Sequence, residues 1–237
     1  LAMFLVSGRV FPAWYWLLQL FFIQGIPFCL ALAVVVLSPE EKAHQRKFIK
    51  EAKDRLREVS PVVIGITGSY GKTSTKFILG TILNQKYPAL ITPASFNTAM
   101  GVTRVIREQL TPEHQVFVAE MGARYPGDIK ALCKLVRPQY GIITSVGEQH
   151  LETFNTLEKI IATKGELLAG IAPGGTAFLN GDNPHCRAMA EHSPVSTLFF
   201  GIDGEDLSLR ATDSQVGGFG SRFTLETREG EKVSCNT

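Results

Sequence analysis

The chain has 237 residues, with 24 Lys and Arg against 22 Asp and Glu, a net charge of +2. With 45% hydrophobic and 19% charged residues it is not an intrinsically disordered chain, and it lacks the basic excess of a nucleic-acid binder. Its four cysteines, Cys29, Cys133, Cys186 and Cys235, form no CxxC pair and no zinc-like spacing with histidine, so they read as thiols of a reducing compartment.

The average composition hides two unlike pieces. Residues 10–39 hold no charge, and residues 14–37 are almost wholly apolar. A bilayer-spanning helix needs about 20 such residues at ~1.5 Å each, and Trp14, Tyr15 and Trp16 fit an interfacial aromatic belt. Residues 1–38 are therefore expected to be a transmembrane segment that is retained as an anchor. Gly25 and Pro27 leave open one kinked span or two adjoining ones. Residues 39–60 follow as a basic amphipathic linker helix, in which Lys42, Arg46, Lys47, Lys50, Lys53, Arg55 and Arg57 alternate with five acids at helical spacings. This reads as a solvated, ion-paired helix. By the positive-inside rule it also places the remainder at the cytoplasmic face of the inner membrane. Beyond residue 59 the balance is 16 basic to 17 acidic residues, so nothing there binds by bulk charge. A start at Leu1 and an end at Thr237 with no closing element lead us to expect a fragment of a longer protein.

From residue 61 onward, short β-branched runs alternate with helical patterns. Strands are expected at 62–67, 115–119, 140–145, 176–179 and 195–200. Helices are expected at 72–84, 128–136, 157–171 and 184–192. That alternation indicates an α/β fold, a mostly parallel sheet flanked by helices. After Leu207, polar–apolar alternation with glycine turns suggests an antiparallel edge, and Gly217-Gly218-Phe219-Gly220 reads as a hairpin turn.

The strongest local signal is Gly68-Ser69-Tyr70-Gly71-Lys72-Thr73-Ser74, which lies between the first of these strands and the first helix. Glycines let backbone N–H groups curl around phosphate oxygens, and a helix N-terminus adds a favourable dipole. Lys72 supplies charge for the β/γ-phosphates, and the Thr73 hydroxyl is a Mg²⁺ ligand in such loops. The common G-x-x-x-x-G-K-[ST] pattern is matched except at its first glycine, where Ile66 stands. Glu120 directly follows an apolar strand, where a carboxylate is costly to bury unless it holds a cation. His150 lies in the loop after the next strand, at the sheet edge where open α/β folds place ligands.

GSYGKTS, SFNTAMGV, AEMGARYPGDIK, GIITSVGEQHLETF, KGEL and LNGDNP, in that order, resemble the central ATP-binding domain of the Mur ligases, over about residues 62–184. The wording EMGA…PGDI and GEQHLE…KGEL resembles most the branch that joins D-alanyl-D-alanine to a UDP-muramoyl tripeptide. The resemblance implies an amide ligase of peptidoglycan precursor synthesis, which phosphorylates a substrate carboxylate with ATP and transfers the acyl group to an amine. It implies that the loop backbone and Lys72 hold the phosphates, and that Thr73 and Glu120 bind Mg²⁺. It further implies that His150 binds a second Mg²⁺, and that Lys164 is carbamylated by CO₂ and becomes a metal ligand. Lys72, His150 and Lys164 are then catalytic, and Asn97 and Thr98 touch substrate, with Thr98 departing from the family's Asn-Asn pair. The implied partners are ATP, a UDP-muramoyl peptide, the amino-donor dipeptide and the membrane, with no nucleic acid. Because the family's amino- and carboxy-terminal domains are not matched, the chain alone is expected to bind ATP weakly without ligating. The alternatives are a related ligase on a folate, a cyanophycin-like polymer or a lipid-linked precursor, and a non-catalytic membrane-tethered nucleotide-binding scaffold.

Overall fold

The computed structural model describes residues 3–6, 9–94, 96–148, 151–218 and 220–236. Residues 1–47 and 48–237 form two compact units.

In the first unit, β1 (Met3–Val6) and β2 (Arg9–Pro12) pair antiparallel, a hairpin that the composition did not suggest. The long helix α1 (Ala13–Val59) then begins, running without a break through Gly25, Pro27 and Pro39. Of the two arrangements left open by Gly25 and Pro27, the structure has a single helix. Its most apolar stretch has a mean hydropathy of 2.5 with none of it buried, so by length and composition this one helix is long enough to cross a membrane.

In the second unit the end of α1 is not simply a solvated helix. Ala52 and Leu56 are buried in the main core, and Ile49 and Val59 pack beside them. These positions fall on one face at helical spacing, so the apolar stripe outweighs the charge-rich sequence around it. Arg107 pairs with Glu51 at 2.7 Å and lies 4.0 Å from the Phe48 ring centroid, and Arg55 donates to the Leu110 carbonyl.

The central strands are short, mostly β-branched or aromatic runs; Val116–Glu120 is buried along its whole length, whereas Ser196–Gly201 is half-buried and Lys232–Asn236 is largely exposed. Along the chain come β3 (Val62–Thr67), α2 (Lys72–Leu83), β4 (Ala89–Ile91), α3 (Ala99–Gln109), β5 (Val116–Glu120), α4 (Asp128–Val136) and β6 (Tyr140–Ile143). There follow α5 (Leu151–Phe154), α6 (Leu157–Gly170), β7 (Thr176–Asn180), α7 (Pro184–Glu191), β8 (Ser196–Gly201), β9 (Leu209–Gly217), β10 (Gly220–Thr227) and β11 (Lys232–Asn236). The spatial order is β11-β10-β9-β8-β7-β6-β3-β5-β4. All pairs from β4 to β9 are parallel, and β9–β10–β11 are antiparallel. The expected α/β class, the mostly parallel sheet and the antiparallel edge are all present. Gly217 stands opposite Gly220, as a hairpin requires.

In the second unit three elements escaped the sequence pattern: β4, α3 and the four-residue α5. β4 is three residues long, too short for a periodicity to register. The apolar face of α3 (Val102, Val105, Ile106) is buried, but it is interrupted by Thr103 and Arg104. The main core lies under α3, α4 and α6 around Phe117, Ala119, Ile129, Leu132 and Leu167. A smaller cluster of Ile66, Val116 and Val118 packs beneath α2 on the other side. Cys133 and Cys186 are buried in the main core, and burial pushes both thiols up to about 12, as suits packing rather than reactive cysteines.

β3 is central, with β5 on one side and β6 on the other, and the chain reaches them in opposite directions across the sheet. The carboxyl ends of these three strands therefore open into the crevice at a topological switch point.

Candidate functional site

Three strand ends supply the site. β3 runs into residues 68–71, where Gly68 has φ +149° and Gly71 has φ +81°. A Cβ on Gly68 would meet the Thr144 Oγ1 at 2.1 Å, so this position needs glycine for space as well as for conformation. Gly71 is the N-cap of α2 and provides no side-chain cap, which leaves first-turn N–H groups of α2 without the usual side-chain acceptor. That is the arrangement of an anion site. Lys72 reaches back over the turn, its Nζ donating to the carbonyls of Gly68 (2.7 Å) and Ser69 (3.1 Å). Burial lowers its basicity, and the nearby Glu120 carboxylate acts in the opposite direction.

The turn is stitched to the loop after β6. Ser69 N donates to the Ser145 carbonyl, and the Ser69 hydroxyl donates to the Gly147 carbonyl. Tyr70 donates through its hydroxyl to the Glu148 carbonyl, and the Thr144 hydroxyl donates to the Tyr70 carbonyl at 2.6 Å. Asn180, at the end of β7, steadies the same loop by donating to the Thr144 carbonyl. Ser74 is exposed on the first turn of α2. His150 lies outside the described residues.

Glu120 ends β5 and is 1% exposed. Its Oε2 accepts from the Thr73 hydroxyl (3.1 Å) and from the Lys76 ammonium (2.9 Å), and its Oε1 accepts from Asn97 Nδ2 (3.1 Å). Burial alone would push the carboxyl up. Hydrogen bonds from Lys76, Asn97 and Thr73, with the Lys76 charge, outweigh it and hold the group below its ordinary value. Sequence reasoning missed Lys76, whose side chain is fully buried. Its only local signal was its place four residues after Lys72, which any helical lysine could share.

Asn97 and Thr98 arrive on the segment between β4 and α3. Gly122 makes room for Asn97, since a Cβ there would sit 2.7 Å from the Asn97 amide, and Gly122 N donates to the Asn97 carbonyl. Thr98 spends its hydroxyl as the N-cap of α3, accepting from Gly101 N. Lys164 comes from α6 and is 3% exposed. Burial, and then the Lys72 charge, lower its ammonium to about 8 against an opposing contribution from Asp128. Two residues on, Glu166 accepts from Gly127 N and Lys130 N, clamping the start of α4 to α6. Asp128 accepts from the N–H groups of Arg124 and Tyr125 and fixes the turn before α4. Neither clamp was legible in the sequence.

Lys72, Asn97, Thr98, Arg124, Asp128 and Lys164 line one cavity of about 640 Å³. The structure thus gathers the predicted Lys72, Thr73, Glu120, Asn97, Thr98 and Lys164 at one edge of the sheet. Among the described residues no three His, Cys, Asp or Glu side chains cluster as a self-sufficient metal cage. A hydroxyl 3.1 Å from an ionised carboxylate still suits a hard cation, because Mg²⁺ commonly takes one or two protein oxygens and completes its shell with phosphates and water.

Residues 66–237 match the family model described as the Mur ligase middle domain. The chain is similar to the UDP-N-acetylmuramoyl-tripeptide–D-alanyl-D-alanine ligase of Escherichia coli (strain K12), 31% identical over 175 residues, covering 73% of this chain and 38% of that one. Among solved structures it is similar to MurF from Acinetobacter baumannii, with a TM-score of 0.74, 30% identity, and 81% of this chain and 42% of that one covered. It is likewise similar to the MurF ligase of Thermotoga maritima in complex with ADP, with a TM-score of 0.74, 31% identity, and coverage of 81% and 44%. The chain spans less than half the length of these relatives.

Proposed function

The chain belongs to the Mur ligase family, and from that premise we propose that it is the ATP-handling part of an ATP-dependent carboxylate–amine ligase that adds D-alanyl-D-alanine to UDP-N-acetylmuramoyl-tripeptide. The observation that carries this reading is the convergence of Lys72, Asn97, Thr98 and Lys164 on one cavity, beside a Glu120 held ionised by Thr73, Lys76 and Asn97. In this reading residues 68–74 hold the triphosphate, with backbone N–H groups and the Lys72 ammonium on its oxygens. An acceptor carboxylate oxygen forms a bond to the γ-phosphorus as the bond to ADP breaks. The amine then attacks the acyl phosphate carbon, loses a proton and expels inorganic phosphate. Thr73 and Glu120 would hold Mg²⁺, with His150 at a second ion, and Asn97 would contact the substrate. Bound Mg²⁺ supplies charge neutralisation between phosphate and carboxylate. The chain's own part is positioning and electrostatics rather than covalent catalysis.

Lys164 would take up CO₂ in its neutral form. Its Nζ lone pair bonds to the carbon, one N–H proton is released, and the product is an anionic carbamate able to bind a cation. Burial favours this chemistry. With a pKa of about 8, about a tenth of the amine is neutral at pH 7, against well under a thousandth for an ordinary lysine. The sign follows directly, since uptake rises as the pH rises through 8 and fails well below it. ¹³C-bicarbonate titration followed by NMR is expected to show a carbamate signal growing over that range and missing from Lys164→Ala. A signal absent at pH 9 would remove Lys164 from the metal site.

The test of the ligase reading is phosphate release that needs MgATP, UDP-N-acetylmuramoyl-tripeptide and D-alanyl-D-alanine together, measured on the protein in the form the cell makes. Lys164→Ala is expected to lower the rate by about 10²–10³, the usual effect of losing one electrostatic group, with partial recovery in added short-chain carboxylate. Release independent of either peptide substrate would defeat the reading. The exposed apolar stretch of α1 supports placing the protein as an anchored enzyme at the cytoplasmic face of the membrane. It also favours, as a second reading, a related ligase acting on a lipid-linked precursor. Turnover of a lipid-linked acceptor in preference to the UDP-linked one would select it.

A further inference from the structure

Lys76 is a fully buried lysine to which the chemistry above gives no part of its own. Its Nζ donates to Glu120 Oε2 at 2.9 Å and to the Ala94 carbonyl at 2.6 Å, and it lies 4.7 Å from the Phe77 ring centroid. A buried ammonium is expensive to keep, and an apolar residue of similar volume would often serve stability as well. The Ala94 end is unusual too. Ala94 has φ +42°, in the left-handed region that a residue with a Cβ seldom enters, and such outliers gather where a site over-determines the backbone. That strained residue presents its carbonyl to Lys76 and lies three positions before Asn97, whose amide holds the other oxygen of Glu120. Lys76 therefore joins three things: the helix that opens at the phosphate turn, the carboxylate at the end of β5, and the segment bearing Asn97 and Thr98.

We propose that Lys76 is a positioning residue that carries the nucleotide-bound state of α2 to the acceptor-contacting segment 92–98. The proposal rests on the reading of residues 68–74 as the ATP site. Thr73 and Lys76 lie one turn apart on α2, so a ligand that settles the first turn also settles the ammonium. The ammonium in turn holds Ala94 and Glu120 in a common frame. A buried, doubly bonded ammonium has one low-energy arrangement, whereas an exposed lysine would transmit nothing.

Hydrogen exchange on the full chain in detergent tests this, with a non-hydrolysable ATP analogue and Mg²⁺ as the probe. In the unaltered chain the probe is expected to slow exchange in peptides covering 68–74 and 92–98, each by about 5-fold or more, the lower end of a typical coupling. In Lys76→Met, protection at 68–74 is expected to persist while protection at 92–98 disappears. A merely structural lysine would instead lose both together. Protection at 92–98 that survives in Lys76→Met overturns the proposal, since the link would then run through Thr73, Glu120 and Asn97 alone. Protection confined to 68–74 in the unaltered chain also overturns it. No protection at 68–74 in the unaltered chain strikes the ATP reading itself, a separate failure that takes this inference with it. Should Lys76→Met fail to fold, Lys76→Gln, a shorter uncharged donor that leaves Glu120 in place, is compared in the same two segments, and the same outcomes decide.

Discussion

A Glu120→Ala chain is expected to lose about 3–5 kcal/mol of folding stability, the cost of leaving a buried charge without its partner. Among the described residues the Lys76 ammonium, with its side chain at 0% exposure, would keep only the Ala94 carbonyl and the Phe77 ring, and Asn97 and Thr73 would each lose an acceptor. Urea denaturation followed by circular dichroism measures the loss as a lower midpoint at unchanged slope. Lys76→Met/Glu120→Gln is expected to recover most of it, because replacing both members of a buried pair avoids the unpaired charge. If Lys76→Met and Glu120→Gln, each measured singly, simply add in the double, the pair is not coupled and this account fails. The pH dependence has a definite sign. The Glu120 carboxyl is held below its ordinary 4.5, so its contribution is complete above that value and is lost as the pH falls through the lower folded value.

The second large effect is expected at Lys72. Among the described residues its ammonium bonds only to carbonyls of its own turn, so Lys72→Met should leave the denaturation midpoint nearly unchanged. Its affinity for MgATP should fall about 10- to 100-fold, the equivalent of a charge-assisted hydrogen bond of about 1.5–3 kcal/mol. Isothermal titration reads this directly, and an unchanged dissociation constant would take the triphosphate away from residues 68–74. A second consequence follows from the shared cavity. After burial, the Lys72 charge is what holds Lys164 below its ordinary basicity. Lys72→Met is therefore expected to move CO₂ uptake by Lys164 to higher pH, while leaving the carbamate signal attainable. Uptake unmoved along the pH axis would show that the two ammonium groups do not share an environment.

Both predictions turn on groups that differ greatly in how visible they are to sequence reasoning. Lys72 and Thr73 could be read directly, because a phosphate turn is local: strand, glycines, lysine and hydroxyl lie within about a dozen residues and each has its own chemical reason. Glu120 was legible for a related reason, since an acid that ends an apolar strand is an anomaly within a window of six residues. Lys164 was found only through resemblance, because within α6 nothing marks it apart from any other helical lysine. What sets it apart is burial at 3% exposure and the neighbouring Lys72 charge, and both come from other parts of the chain. Lys76 escaped altogether. Its partner Glu120 is 44 residues away, and the helical pattern that correctly placed α2 assigns no inside or outside to a lone lysine in it.

The sequence alone determined the α/β class, the central parallel strands, the antiparallel edge, the long apolar helix and the glycine–lysine turn at residues 68–74. Each is written in short-range periodicity or in a contiguous motif, where the physics of backbone and burial acts over a few residues. Only the tertiary structure decided that the end of α1 belongs to the core, and that β4 and α3 deliver Asn97 to Glu120. It alone showed that Thr98 is occupied as a helix cap, that Glu166 clamps α4, and that the buried Lys76 joins α2 to Glu120 and to the Ala94 carbonyl. Those features depend on pairs of groups brought together from distant positions in the chain. Burial and charge acquire their chemical meaning only once the sheet has set those neighbours side by side.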